Sequence, residues 1–240
     1  MVLYLSIPGS GEDAIRSCIT RVTGAPTYSL YSDDIEVKEE ELKLDVATIP
    51  LWKSCNGSDD CDHYDDFPVL IKSYLPVVTK QSNVPTFQKA IRIIRNPLDS
   101  IRSFFEVCAT TSWLASRRRG WDNHVRKETG EYKKFHEYWD RYQVDTDTSF
   151  LTIRYEDLCA DPVTTFLHIF AFLDILQYYD ENNLNSYINT DEFLNACSPP
   201  LAISHDKYTA TQVEDMEDDL RNVIEKYQYE GTFRNIEVKN

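Results

Sequence analysis

The sequence lacks a long apolar run. No window of about 18 or more consecutive apolar residues occurs, so a transmembrane helix is not predicted. The first residues, Met1-Val2-Leu3-Tyr4-Leu5, have no charged leader and read as a strand rather than a signal peptide. These two features predict a soluble, cytoplasmic chain without a membrane span.

Positive charge is also scarce. The 240 residues include 25 Lys and Arg against 40 Asp and Glu, which gives a formal net charge of −15. Nucleic acids and anionic membranes select densely basic surfaces, so neither is a predicted partner. An anionic ligand would have to be held by a local site. No low-complexity linker divides the chain, and we expect a single domain over residues 1–240.

The six cysteines form no CxxC pair and have no histidine at zinc-finger spacing, so a metal site is not predicted. Cys55 and Cys61 bracket a polar turn that contains a glycosylation sequon, Asn56-Gly57-Ser58. That turn could close as a small disulfide loop, or the two thiols could stay free. Both alternatives remain open at this point.

The chain begins with a pattern of strand, tight loop and helix. An apolar run over residues 2–7 ends at Pro8-Gly9-Ser10-Gly11, and residues 12–22 then show helical spacing of apolar side chains. The backbone amides of such a loop can surround a phosphate or sulfate. No Gly-Lys-Ser/Thr follows, which argues against a nucleoside triphosphatase of the Walker type.

A second strand-to-helix junction lies at residues 89–106, KAIRIIRNPLDSIRSFFE. Asn96 is a suitable N-cap, Pro97 suits the first helical position, and Asp99 faces the positive helix end. Arg95 ends the strand and Ser103 follows two turns into the helix, so both side chains could reach one anion at the helix entrance. The alternative is a plain capped helix with a surface arginine.

The remaining elements indicate an α/β fold with a parallel sheet, because strands and helices alternate. They are, in chain order, a variable acidic region at 24–66, strand 69–74, two helices around Gly120 and Gly130 within 110–142, strand 150–153, a helix after Asp161-Pro162, a polar connection at 177–206, and a final helix at 211–227.

Four blocks of the sequence form a recognisable set in chain order. They are Pro8-Gly9-Ser10-Gly11 through Arg16, Lys72-Ser73-Tyr74, Arg95-Asn96-Pro97-Leu98-Asp99 with Ser103, and Arg154-Tyr155-Glu156-Asp157-Leu158 with Asp161-Pro162. Together these blocks resemble the superfamily of sulfotransferases that use 3′-phosphoadenosine-5′-phosphosulfate (PAPS). Within the superfamily, the first block is most similar to the WSC-domain-containing branch.

This resemblance implies a three-layer, P-loop-like fold with a central parallel sheet flanked by helices, PAPS as the sulfate donor, and no metal. It also implies a role for each matching residue. The implied nucleotide-binding residues are Gly9, Ser10 and Gly11 for the 5′-phosphosulfate, Arg95 and Ser103 for the 3′-phosphate, and Tyr155 for the adenine. Lys72 and Tyr74 occupy the implied catalytic positions.

The chain departs from the family pattern in three places. Gly9 stands where the family loop usually has lysine, Glu12-Asp13 replace Thr or Asn-Thr, and Tyr74 replaces the histidine base. A phenol has a reference pKa of about 10 and is a poor base at neutral pH. We therefore carry three alternatives: a sulfotransferase, a nucleotide-binding pseudoenzyme or interaction protein on the same fold, and an unrelated P-loop-like nucleotide binder.

The acceptor is not specified by these motifs. The acidic region 24–66 and the aromatic segment 110–142 are predicted to frame its pocket, and the resemblance implies a hydroxyl or amine on a small molecule, a glycan or a protein. His63, Asp65 or Asp66 could replace the missing base, and Lys207 could replace a late basic segment of the family. If an N-terminal anchor is missing from the sequence, the resemblance implies the Golgi lumen as the alternative compartment.

Overall fold

The computed structural model describes residues 2–24, 27–29, 70–73, 87–110, 119–197 and 207–234. Five parallel strands form one sheet in this part of the chain, in the spatial order β2-β3-β1-β4-β5. They are β1 Val2–Leu5, β2 Thr27–Ser29, β3 Leu70–Ser73, β4 Lys89–Ile94 and β5 Ser149–Arg154.

Helices follow most of the strands and cover both faces of the sheet. Numbered within the described residues, they are α1 Glu12–Thr23, α2 Pro97–Thr110, α3 Trp121–Asp145, α4 Tyr155–Ala160, α5 Pro162–Phe172, α6 Glu181–Ile188, α7 Asp191–Ala196, α8 Ala210–Lys226 and α9 Glu230–Arg234. A single 3-10 turn, Leu176–Tyr178, lies between α5 and α6.

The sheet is the middle of three layers, as predicted. Alternate side chains of a strand point to opposite faces. In β1, Val2 and Tyr4 join the core formed with α1, α5, α6 and α7, whereas Leu3 and Leu5 pack on the other face against α3. Helices α2, α8 and α9 enclose a further core with α3 on that second face. The predicted α/β class is therefore confirmed.

The junction of β4 and α2 forms as the sequence predicted. The helix begins at Pro97, and the side-chain oxygen of Asn96 accepts the backbone N–H of Leu98 at 3.0 Å. Asp99 lies in the first turn of the helix, where a carboxylate is favoured by the helix dipole. Capping residues act within three or four positions of themselves, so this junction could be predicted from local sequence alone.

The prediction of two helices around Gly120 and Gly130 was wrong at Gly130, whereas Gly120 is the N-cap of a helix. Helix α3 runs without interruption from Trp121 to Asp145. Glycine in a helix costs only about 1 kcal/mol relative to alanine, and the buried positions Val125, Tyr132 and Trp139 keep the same helix face packed on both sides of it. Burial of that face outweighs the local preference of one glycine.

The prediction of a polar connection over 177–206 was also wrong for its first part, which contains α6 and α7. Asp180 accepts the N–H of Asn183 at 2.8 Å, and Thr190 accepts the N–H of Phe193 at 3.2 Å, so each helix has a side-chain N-cap. Leu184 and Phe193 are buried in the core beside α1. The helix predicted at 211–227 is α8, but α9 follows it.

Several predictions fall outside the described residues. They concern most of the acidic region 24–66, the pair Cys55 and Cys61, Tyr74, and the three candidate bases. Those three are His63, Asp65 and Asp66.

Candidate functional site

The predicted site residues that the structure describes gather mainly at the carboxyl edge of the sheet. Because all five strands are parallel, their C-terminal ends lie on one edge. Leu5 pairs in register with Ser73 on one side and with Arg92 on the other, and Ile94 pairs with Arg154. Chain order reverses direction between β1 and β4, the kind of switch point where open α/β sheets hold ligands.

The loop after β1 is fastened to the start of α2. The Ser100 hydroxyl donates to the carbonyl of Pro8 at 3.1 Å and lies 3.4 Å from the Ser10 hydroxyl. Gly9 has a φ of +84°, and a Cβ there would lie 2.6 Å from the Ser100 carbonyl oxygen. Only glycine allows this close approach of loop and helix without strain.

Arg95 follows β4 directly and faces the same loop. Its Nη1 donates to the Gly9 carbonyl at 2.7 Å, and its guanidinium lies over the Tyr155 ring, 4.2 Å from the centroid. The side chain is 8% exposed, yet its buried Nε has no hydrogen-bond partner among the described residues. No carboxylate in these residues forms an ion pair with Arg95. Within the described part of the chain, this nearly buried guanidinium therefore keeps an unsatisfied donor and an uncompensated charge.

The turn that carries Arg95 is held by a residue that our sequence analysis did not assign. Glu156 accepts the backbone N–H of Asn96 at 2.8 Å with one carboxylate oxygen and the Tyr229 hydroxyl at 3.0 Å with the other. The Tyr132 hydroxyl donates to the Arg95 carbonyl. The position of Glu156 in the fourth sequence block could have indicated a role at the site. No sequence motif indicated this contact of Tyr132.

Ser103 lies one helical turn after Ser100 in α2 and borders the same loop. Its Cβ lies 3.3 Å from the position that a Cβ on Gly9 would take. Gly9 is thus the point at which Arg95 and Ser103 meet, one through its guanidinium and the other through its side-chain carbon. The prediction that these two side chains flank a common place is consistent with this arrangement.

Tyr155 begins α4 and supports the loop. A Cβ on Gly11, whose φ is +78°, would lie 2.4 Å from the Tyr155 ring, so the ring packs directly against that glycine. The hydroxyl donates to the Ala196 carbonyl at 2.8 Å, and burial raises its pKa, so it remains a protonated donor. With its ring against Gly11 and Arg95, Tyr155 shapes the loop. Its contact with an adenine stays a prediction.

Two thiols lie beside Tyr155. Cys159 follows it by one helical turn on α4, and Cys197 ends α7 immediately after Ala196. A hydrogen bond from Cys197 lowers the pKa of the Cys159 thiol, and the same bond together with burial raises the pKa of Cys197. These groups were not predicted as part of the site.

Ser10 is satisfied within the protein. Its backbone N–H donates to the Ile7 carbonyl at 3.1 Å, and its hydroxyl is buried beside Ser100. The Ser10 backbone N–H is therefore engaged within the loop, and either oxygen of the hydroxyl pair can be the donor. The contact of Ser10 with a 5′-phosphosulfate stays a prediction.

Lys72 lies near the C-terminal end of β3, close to the start of α1. Its Nζ is 3.2 Å from Glu12 Oε1 and 3.9 Å from Asp13 Oδ1. Lys72 is 7% exposed and Glu12 is 8% exposed, so the closer pair is buried. The cation that was predicted to neutralise a leaving phosphate is held by a carboxylate of the protein.

Lys207 lies beside α2. Its Nζ is 3.8 Å from Glu106 and lies over the Phe105 ring, on the C-terminal half of the helix. Arg95 precedes the opposite end of α2, whereas Ser103 is three residues from Glu106. That Lys207 replaces the family's late basic segment stays a prediction.

Two general properties complete the description of the site and its surroundings. Within the described ranges, no helix combines the length and apolar composition that a membrane span needs. Nor does this part of the chain bring three or more His, Cys, Asp or Glu side chains into a group that could hold a metal ion.

Comparison with known proteins finds sulfotransferases. Residues 88–180 match the family described as "Sulfotransferase family". The fold is similar to that of mouse sulfotransferase SULT7A1 complexed with PAP, with a TM-score of 0.62 and 17% identity over 97% of this chain and 86% of that one. The sulfotransferase domain of the Synechococcus PCC 7002 olefin synthase aligns with a TM-score of 0.49 and 17% identity over 93% of this chain and 94% of that one.

No curated protein sequence matches the chain significantly. The resemblance to the WSC-domain-containing branch stays a prediction. Residues 88–180 thus match the sulfotransferase family, and the fold of the chain is similar to that of a sulfotransferase.

Proposed function

We propose that this protein transfers a sulfuryl group from PAPS to a hydroxyl or amine of an acceptor. The observation that carries the proposal is Arg95, a guanidinium 8% exposed with an unpaired Nε and no carboxylate partner in the described chain. A buried cation without a counter-charge is costly, and an anionic ligand would relieve that cost. The proposal draws further support from the sulfotransferase fold and from the PAP bound to the mouse relative.

The residues present fit the 3′-phosphate half of such a nucleotide. Arg95 offers a planar fork that suits phosphate, and the N-terminus of α2 adds positive potential beside it. Ser103 contributes a hydroxyl donor from the same helix. In our proposal these groups bind and orient the nucleotide, which when bound supplies the activated sulfuryl group.

The half of the site that would handle the sulfate is less complete. Lys72 would neutralise charge on the departing phosphate, and Tyr74, which lies outside the described residues, takes the position of the base. Sulfuryl transfer needs cationic donors on the leaving side and a proton acceptor on the other. The Lys72–Glu12 pair at 3.2 Å specifically favours a second candidate function, a PAP-binding pseudoenzyme or interaction protein on this fold.

Calorimetric titration of PAP, adenosine 3′,5′-bisphosphate, tests the nucleotide site. Loss of two charge-assisted bonds in Arg95→Ala should cost about 2–4 kcal/mol, or one to three decades in affinity. The affinity of Arg95→Lys for PAP should lie between those of wild type and Arg95→Ala, because lysine keeps the positive charge but lacks the planar guanidinium fork. Arg102→Ala is the matched control, since Arg102 pairs with Glu106 at 3.2 Å on the same helix, and its affinity should stay within about threefold of wild type.

A wild-type protein that does not bind PAP would refute both candidate functions. ATP titrated in parallel separates them from an unrelated P-loop-like binder, for which ATP would bind more tightly than PAP. Radiolabelled PAPS with a library of acceptors then distinguishes enzyme from pseudoenzyme. Transfer above that of Lys72→Ala supports the enzyme, whereas PAP binding without such transfer supports the pseudoenzyme.

A further inference from the structure

The first turn of α1 carries a carboxylate where the helix attracts an anion. Glu12 is the first residue of α1, directly after the loop residue Gly11. Backbone N–H groups at a helix start act as a partial positive charge, and the N-cap residue of α1, Gly11, has no side chain that could cap them. A negative group is stabilised there, and the protein supplies one itself.

Lys72 reinforces that position from the neighbouring strand. In the sheet, Lys72 is paired in register with Tyr4 of β1, and the Tyr4 hydroxyl donates to the Glu12 backbone carbonyl at 3.0 Å. The Glu12 carboxylate and the Lys72 ammonium are 3.2 Å apart and nearly buried. Salt and water screen such a pair far less than a surface pair.

The helix start, the lysine and the loop together have the features of an anion site in which a carboxylate of the chain is already bound. Asp13, the next residue, differs from Glu12 in its surroundings. It is 3.9 Å from the same lysine, but its side chain is 83% exposed. Its charge is solvated, so it competes weakly for Lys72. Of these two carboxylates, Glu12 is the one that combines close contact with Lys72 and burial.

A second anion would meet this carboxylate at close range. A nucleotide 5′-phosphate brought to the loop would be repelled by Glu12, and it could pair with Lys72 only by displacing that carboxylate. The 3′-phosphate would not face this competition, because Arg95 has no carboxylate partner among the described residues. The two ends of one ligand would therefore contribute very unequally to binding.

We propose that Glu12 is a specificity-determining residue whose carboxylate competes with the 5′-phosphate group of the nucleotide for Lys72. Affinity then depends on the 3′-phosphate and hardly at all on the 5′ group. This inference rests on the proposed function, since it assumes that Arg95 binds a 3′-phosphate. A bound donor would have to separate Glu12 from Lys72 before Lys72 could act on its 5′ side.

Two nucleotides that differ only by the 5′-phosphate test the proposal by calorimetry. For wild type we expect adenosine 3′-monophosphate and adenosine 3′,5′-bisphosphate to bind with affinities within about threefold of each other, since repulsion by Glu12 offsets attraction by Lys72. This comparison needs no variant. It therefore remains decisive even if a substitution at the buried pair prevents folding.

Variants then assign the effect to Glu12. Glu12→Gln keeps the size of the side chain and removes its charge, so the affinity ratio of bisphosphate to monophosphate should rise by about tenfold to a hundredfold. Asp13→Asn is the matched control and should leave the ratio unchanged. In Glu12→Gln/Lys72→Gln the gain should disappear, because the 5′-phosphate then has no lysine to pair with.

The possible results separate this inference from the proposed function. If wild type binds the bisphosphate much more tightly than the monophosphate, or if Glu12→Gln does not raise the ratio, the role of Glu12 is refuted while the 3′-phosphate site stands. An equal rise of the affinity ratio in Asp13→Asn would also refute it, since the loss of any negative charge near Lys72 would then strengthen binding of the 5′-phosphate. If neither nucleotide binds to wild type or variants, the proposed function fails and the inference fails with it.

Discussion

The contact between Gly9 and α2 gives a prediction that can be measured without any ligand. Gly9 has a φ of +84°, and an added Cβ would lie 2.6 Å from the Ser100 carbonyl oxygen and 3.1 Å from the Phe104 backbone nitrogen. Both atoms belong to helix backbone, which cannot move aside as a flexible side chain can. Gly9→Ala should therefore force the loop away from the helix that carries Ser103.

Gly24 provides a matched control for the magnitude. Its φ is +76°, and a Cβ there would meet no atom of the described residues within 4 Å. Gly24→Ala thus incurs only the left-handed backbone penalty, about 1–2 kcal/mol. Gly9→Ala incurs the same penalty plus an overpacking cost of about 1–3 kcal/mol. The expected loss is about 2–5 kcal/mol at Gly9 against about 1–2 kcal/mol at Gly24.

Urea unfolding followed by far-UV circular dichroism measures both losses, with equal slopes required for the comparison. In a chain of this size each kcal/mol should also lower the midpoint temperature by about 2–4 °C. If the two variants lose the same stability, the close approach of loop and helix does not exist in solution. The account of Gly9 as the meeting point of Arg95 and Ser103 would then fail.

Two further predictions concern α3. Burial, and after it the nearby Arg92, lower the pKa of His136 in the folded protein to about 3. In the unfolded chain the pKa is about 6.5. The neutral, buried histidine therefore contributes its full stability above about pH 6.5, and this contribution is lost as the pH falls below that value. His136→Phe should abolish about 2 kcal/mol of the wild-type loss in unfolding free energy between pH 7 and pH 5; parallel pH dependence in the two proteins would contradict this. Gly130→Ala should raise the unfolding free energy by about 0.5–1 kcal/mol, because a Cβ there meets nothing within 4 Å, and an unchanged or lower urea midpoint would count against the uninterrupted helix.

The features that the sequence predicted correctly depend on near neighbours. The N-cap at Asn96 and the starts of α2 at Pro97 and of α5 at Pro162, where Asp161 accepts the N–H of Thr164, each involve residues no more than three positions apart. The parallel sheet could be predicted because strands and helices alternate along the chain. The resemblance of the four blocks also predicted which site residues lie together. In the structure they do so because the C-terminal ends of the parallel strands share one edge of the sheet.

The partners of the charged residues could not be predicted, since they depend on contacts distant in sequence. Lys72 pairs with Glu12, which is 60 residues away, and Arg92 pairs with Asp140, which is 48 residues away. The sequence pattern placed Glu12 near a helix start and Lys72 at a strand end, but it gave no reason to join them. Strand register and side-chain direction decide such pairs, and neither is encoded in a window of a few residues.

Overall charge and local charge have opposite consequences for ligand binding in this protein. With a net charge of −15, acidic side chains are abundant, and the buried cations Lys72 and Arg92 each contact one of them. Arg95 instead contacts a neutral carbonyl and an aromatic ring. Since its charge is buried and uncompensated in the described chain, an anion gains more at Arg95 than at either paired cation, where it must first displace a carboxylate. We therefore expect the arrangement of a few buried pairs, and not the net charge, to determine where an anionic ligand binds.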